Sequence, residues 1–161
     1  MASEPNSTPS PLDQLRRLLY VVLLVGLIGT LTDLLLLHHY EEPWQVVPLA
    51  VIGLGLLASA WLAWGGGPAR VHVFRGVMSM IVVTGAIGLL SHYQGGREFQ
   101  LEVYPELTGW KLFAKIIQAH APPALAPGSM IPLGLVGLLV TFRHPSVQRR
   151  RDNPAETPKP M

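Results

Sequence analysis

Residues 15–37, LRRLLYVVLLVGLIGTLTDLLLL, and 44–64, WQVVPLAVIGLGLLASAWLAW, decide the fold class. After its Arg16 and Arg17 pair the first run is broken only by Thr30, Thr32 and Asp33, and the second carries no charge. Roughly 20 mostly apolar residues in a helix cross a hydrocarbon core, so each run is long enough for one pass. A third run, Phe74 to Tyr93, has Arg75 at its start and His92 at its end. A fourth, Met130 to Phe142, is short and reaches a full pass only by recruiting the Pro-rich stretch Ala119 to Ser129. The expectation is an all-α polytopic membrane protein with four transmembrane helices, at 15–38, 44–64, 72–93 and 129–143, in one membrane domain spanning 14–144.

Composition agrees, because 14% charged residues is well under the roughly 25% of soluble domains. The ends, 1–13 and 145–161, are rich in Ser, Pro and polar groups with too little apolar surface to fold, and are predicted to be disordered cytoplasmic tails. The first run follows a polar tail, is too long for the apolar part of a signal peptide and lacks a small-residue cleavage site, so it is expected to stay as a helix. The chain has no cysteine. That excludes disulfide exchange, thiolate-bound zinc and all-cysteine iron–sulfur clusters.

Basic residues near helix ends set orientation. Arg16 and Arg17 precede helix 1, Arg70 and Arg75 lie between helices 2 and 3, and Arg143, Arg149, Arg150 and Arg151 follow helix 4. No Lys or Arg separates helices 1 and 2, and the long segment before helix 4 has only Arg97, Lys111 and Lys115. Both termini are therefore expected in the cytoplasm. The basic residues cling to helix ends, which argues against nucleic acid as a partner. Tyr40, Trp44 and Tyr93 would mark the outer interface, and Trp61, Trp64 and Phe74 the inner one.

Helices 1, 3 and 4 each carry a glycine pair: Gly26 and Gly29, Gly85 and Gly88, Gly134 and Gly137. Small residues let helix backbones approach closely in lipid, so these are the candidate packing positions. Gly65 to Pro68 punctuates the end of helix 2, and Glu41 to Pro43 makes a tight outer turn. Arg97 to Tyr104 alternates polar and apolar like a strand, although a lone strand would lack a partner. Helix or strand, the spacing puts Glu98 and Glu102 on one side. From Leu107 an amphipathic helix is expected on the outer surface, with Trp110, Phe113, Ala114 and Ile117 as an apolar stripe that faces either lipid or the bundle. The segment 119–129 reads as a re-entrant turn or lid, or as part of helix 4, with Ser129 capping that helix.

The run His92-Tyr93-Gln94-Gly95-Gly96-Arg97-Glu98-Phe99, with Glu102, Pro105, Leu112-Phe113, the Ala124 to Gly128 turn and Arg143-His144-Pro145, resembles a family of small uncharacterised bacterial four-helix membrane proteins. The resemblance implies a bacterial inner membrane and supplies no activity.

Chemistry concentrates at the expected outer face. His38 or His39 tops helix 1 and His92 tops helix 3, and with Glu41, Glu98 and Glu102 they could form a His and carboxylate shell for a divalent metal. The simpler reading is solvated helix ends. A b-type haem between His38 or His39 and His92, or between His72 and His144, ranks lower, since His72 and His92 stand about 30 Å apart along a helix. Asp33 is an ionisable group inside an apolar span and a candidate proton or cation relay, facing the bundle or a cavity; if it reaches the headgroups it is simply hydrated. No phosphate-binding loop or catalytic triad is present, and no catalytic residue is assigned. The sequence thus points to a structural or accessory membrane component working through its outward loop with a membrane-protein partner or a second copy. The alternative is a metal-handling protein using His38, His39, His92, Glu98 and Glu102.

Overall fold

The computed structural model describes residues 10–65, 67–118 and 126–147, and among these every regular element is a helix. Helix α1 (Pro11–Leu36) starts four residues before the expected point. The Ser10 side chain accepts the Asp13 N–H at 3.2 Å, and Pro11 at the first helical position loses no needed donor. The tail expected over 1–13 thus gives up its last residues to the helix, and residues 1–9 lie outside the described residues.

A short 3-10 turn, Pro43–Gln45, leads into α2 (Val46–Ala63). Helix α3 (Pro68–Val103) is 36 residues long, about 54 Å at the usual rise against a hydrocarbon core of about 30 Å. The helix expected to stop near Tyr93 therefore runs ten residues further, and the strand-like stretch Arg97 to Val103 is helical. Helix α4 (Gly109–Ile117) follows, then α5 (Ala126–Val140), and beyond it residues 145–147, part of the tail expected to be disordered, are helical. Ser129 lies inside α5 rather than capping it. The re-entrant stretch expected from 119 lies outside the described residues as far as 125.

Three helical stretches, Pro11–Leu36, Pro43–Ala63 and Pro68–Val103, are long and apolar enough to cross a membrane. Only 22% to 28% of their apolar windows is buried within the chain. The outward faces stay apolar: Leu18, Val25, Leu57, Val83 and Leu139 are all exposed. A soluble protein would place polar groups there.

Each of α1 and α3 packs against both α2 and α5. The core between them holds Leu23, Leu27, Ile52, Phe74, Met78, Ile81 and Met130. Phe74 is fully buried there, so it is a core residue and not an interfacial anchor. Cross-links fix the polarity. Tyr20 Oη donates to the Ser59 carbonyl at 2.6 Å, and Arg16 and Arg75 reach α5's end at Thr141 to Arg143. The starts of α1 and α3 thus share one end of the molecule with the ends of α2 and α5.

Of the candidate packing glycines, five meet a neighbour. A Cβ on Gly134 would lie 2.7 Å from the Met78 carbonyl oxygen, and one on Gly85 would lie 2.9 Å from the Pro127 carbonyl. Gly88 faces the Pro127 ring, Gly137 the Met78 thioether and Gly26 the Leu133 side chain. Gly29 meets nothing within 4 Å, because it faces outward. Gly55 on α2 also packs closely, 2.8 Å from Ile81 Cδ1, although it belongs to no glycine pair of the kind seen on α1, α3 and α5.

Candidate functional site

The end of the molecule opposite the arginines is built by the α1–α2 turn, the upper part of α3 and α4. Helix α1 ends with His38 in the left-handed conformation, at φ 52°. The His38 N–H donates to the Leu35 carbonyl at 3.1 Å and the His39 N–H to the Leu34 carbonyl at 3.0 Å. This double bond pattern closes a helix end and ordinarily uses glycine at the left-handed position. Histidine there is strained, and the sharp reversal brings His39 back over α3.

His39 and His92 stack, with ring centroids 6.2 Å apart at an interplanar angle of 29°. His38 instead lies beside Tyr40, 5.7 Å between centroids. The structure thus joins His39 to His92 across two helices. Glu41, Glu98 and Glu102 are exposed. Among the described residues no three His, Asp or Glu side chains come close enough together to hold a metal ion. Asp33 is also exposed, facing away from the helix core, whereas Thr30, one turn below it, is buried with its hydroxyl 3.5 Å from that of Ser129. Asp33 and Thr30 therefore point to different sides of α1, and Asp33 does not face the helix core.

Burial, and then the charge that His92 can carry, hold His39 below its ordinary value of 6.5. At the arginine end His144 is held below 6.5 as well, by burial and by the Arg16 and Arg75 guanidiniums. In both cases the folded chain binds fewer protons than the unfolded one just below 6.5, so their contribution is complete above that pH and is lost as pH falls through the folded values. Acidification from about pH 7.5 to about 5 is expected to lower the unfolding midpoint. The double variant His39→Gln, His144→Gln should flatten this dependence in a thermal melt; an unchanged slope would show that other groups carry it.

Helix α4 lies against the extension of α3. Its buried residues are Leu112 and Ile116, and Ile116 Cγ2 would sit 3.1 Å from a Cβ on Gly96. Gln100, one turn beyond Gly96, is buried too. The expected stripe of Trp110, Phe113, Ala114 and Ile117 is thus not the inward face. At 3.6 residues per turn the apolar arc of α4 spans roughly 160°, and Leu112 and Ile116 form its inner half. The outer half stays open: Trp110 is 77% exposed and Ile117 is 44% exposed. Phe113 stacks on Trp110 with centroids 5.1 Å apart and lies 6.1 Å from Tyr93. The Lys115 ammonium sits over the Tyr104 ring at 4.9 Å, which fixes α4 against the end of α3 on its polar side. The result is a rigid plate with an aromatic outer surface.

The arginine end holds residues whose structural role is absent from the sequence pattern. Arg75 Nε donates to Thr141 Oγ1 at 3.1 Å and Nη2 to the Thr141 carbonyl at 2.5 Å. Arg16 Nη2 donates to the carbonyls of Phe142 at 3.0 Å and Arg143 at 2.8 Å. These carbonyls belong to the turn that follows α5, and cations there match the helix dipole. His72 and His144, the inner haem pair considered above, have local partners: His72 Nδ1–H lies 2.6 Å from the Pro68 carbonyl, and His144 Nδ1 accepts the Ser146 N–H at 3.3 Å.

Comparison with models of protein families, with characterised proteins and with solved structures finds no match. The site is therefore read from its geometry alone.

Proposed function

We propose that this chain is a structural or accessory component of a bacterial inner membrane, working through the plate that α4 and the end of α3 form outside the bilayer. The observation that carries this reading is the open aromatic face of α4. Trp110, Phe113 and Ile117 sit on a helix already anchored through Leu112 and Ile116, so the outer face is free to meet something else. Tryptophan and other aromatics presented on a rigid surface are the groups that anchor protein contacts. In this reading α5 is a fourth pass. Its 15 residues make about 22 Å of helix, short for a full crossing, and its seat between α1 and α3 compensates by burying it in protein. Both termini lie in the cytoplasm, because Arg16, Arg17, Arg70, Arg75 and Arg143 gather at one end. A membrane-protein partner or a second copy of the chain covers the plate, and nucleic acid plays no part.

A photo-reactive residue at position 110 tests the proposal in intact cells. The expected result is a discrete adduct with another membrane protein, or one of twice the chain's mass if the partner is a second copy. Lys111, on the opposite face of α4, should give none. Adducts with lipid alone would overturn the proposal and leave α4 as an interfacial float.

One observation favours a second reading. The stacked His39 and His92 could supply two imidazoles to a divalent metal, with a carboxylate or further imidazole delivered by movement of the surrounding loops. Stoichiometric zinc in the protein purified without chelator, abolished by His92→Ala, would support a metal-handling role. Metal-free protein would count against it.

A further inference from the structure

At the arginine end a cavity of about 290 Å³ opens between the start of α1, the end of α2 and the end of α5. Its polar wall is Arg16, Arg17, Tyr20 and His144, and its apolar wall is Leu62, Ala63 and Val140. The two walls have the character of an amphiphile: cationic at one side, hydrocarbon at the other. The volume lies at the small end of ligand pockets, enough for a headgroup and the first part of a chain but not for a whole lipid.

Three details sharpen the match. Arg16 is nearly buried, its side chain 14% exposed, and its Nη atoms are committed to Asp13 and to the carbonyls of Phe142 and Arg143. Its Nε is buried with no hydrogen-bond partner among the described residues. A buried donor left unmet is unfavourable, and an acceptor on a bound molecule would relieve it once a small shift of the Arg16 side chain opens Nε to the cavity. Arg17, next in the chain, is exposed and lines the same cavity. Among the described residues no carboxylate lines the cavity, and nearby Asp13 is already paired with Arg16, which disfavours the ammonium of a zwitterionic lipid. His144 is held below its ordinary value by burial and by the Arg16 and Arg75 guanidiniums, so the fixed positive charge of the cavity is that of the two arginines.

We propose that this cavity binds the headgroup of an anionic phospholipid from the surrounding leaflet, its phosphate on Arg16 and Arg17 and its first acyl carbons on Leu62, Ala63 and Val140. Basic pockets between membrane helices recognise anionic headgroups in this way. Bound there, the lipid ties α1, α2 and α5 together at the end where Arg16 already holds α5. The proposal does not depend on what covers α4.

The full chain in mild detergent, titrated with short-chain phosphatidylglycerol, phosphatidylcholine of the same chain length, or inorganic phosphate, tests it by thermal melting and by native mass spectrometry. Phosphatidylglycerol should raise the unfolding midpoint and leave one lipid bound per chain, and the other two should not. Arg17→Gln removes a charge without disturbing the Arg16 contacts to α5, and should weaken phosphatidylglycerol binding about tenfold, the equivalent of one charged hydrogen bond. Ala63→Phe fills the apolar wall, keeps both arginines, and should weaken binding at least as much. Equal effects of the two lipids would overturn the proposal. So would full stabilisation by inorganic phosphate, which needs no hydrocarbon wall, or wild-type binding by both variants.

Discussion

Leucine at Gly134 is expected to separate α5 from α3 and to leave little folded protein. A Cβ at this position would lie 2.6 Å from Val82 Cγ2, 2.7 Å from the Met78 carbonyl oxygen and 3.1 Å from the Val82 nitrogen. Two of those atoms are backbone in the middle of a helix, so no rotamer change relieves the overlap. Even alanine forces the helices apart, at a cost of about 1–3 kcal/mol for overpacking, and leucine adds three more carbons. In lipid the loss is direct, because close packing rather than water exclusion holds the helices together. Gly29→Leu is the matched control: nothing lies within 4 Å of its Cβ, and an outward leucine should change stability by less than about 0.5 kcal/mol. Thermal melts of the two variants in the same detergent should therefore diverge sharply. Equal melting temperatures would mean that α5 does not sit against α3 at this distance.

Loss of the Arg75 fork should be the next most damaging change. Thr141 is fully buried, and both its hydroxyl and its carbonyl accept from Arg75. The hydroxyl itself donates to the Leu138 carbonyl at 3.1 Å, so the three groups form a short chain from α3 to the end of α5. Arg75→Leu leaves both acceptors without their charged donor, and hydrogen bonds to charged groups contribute about 1.5–3 kcal/mol each. A loss of about 3 kcal/mol is expected. Arg75→Lys should recover only part of it, since an ammonium cannot span both oxygens as the planar fork does. Denaturant titration of the purified variants reads this order directly, and a lysine variant as stable as wild type would show that charge alone, not the fork, holds α5.

Helices α1 and α2 were legible because two mostly apolar runs of about 20 residues suit a membrane crossing, and both helices appear within a few residues of their expected bounds. The length of α3 was not. Tyr93 reads as an interfacial anchor, and the alternation from Arg97 to Tyr104 has the period of a strand. Tertiary packing overrides these local signals: Gly96 is the surface on which Ile116 rests, and the face of α3 that carries Gln100 is covered. Which side of α4 packs was left open by the sequence for a related reason. Its apolar arc is wide, and the smaller Leu112 and Ile116, not the large aromatics, do the packing.

The candidate site divides the same way. A sequence places His39 and His92 at similar depth by counting along two helices, and the structure stacks them. It cannot show that the left-handed turn at His38 sends that ring elsewhere, nor that Asp33 faces outward while Thr30 faces in. Arg16 and Arg75 were legible only as topological charges. Their second use, holding the carbonyls at the end of α5, depends on residues 66 and 126 or more positions away.

Because the chain has no cysteine, single cysteines at Ala69, Lys111 and Pro145, all exposed, can report sidedness without interference. Sealed spheroplasts treated with a membrane-impermeant maleimide should label Lys111→Cys at once, and Ala69→Cys and Pro145→Cys only after permeabilisation. Labelling of all three from outside, or of Pro145→Cys together with Lys111→Cys and not with Ala69→Cys, would contradict a chain that crosses with α3, presents α4 outside and returns through α5.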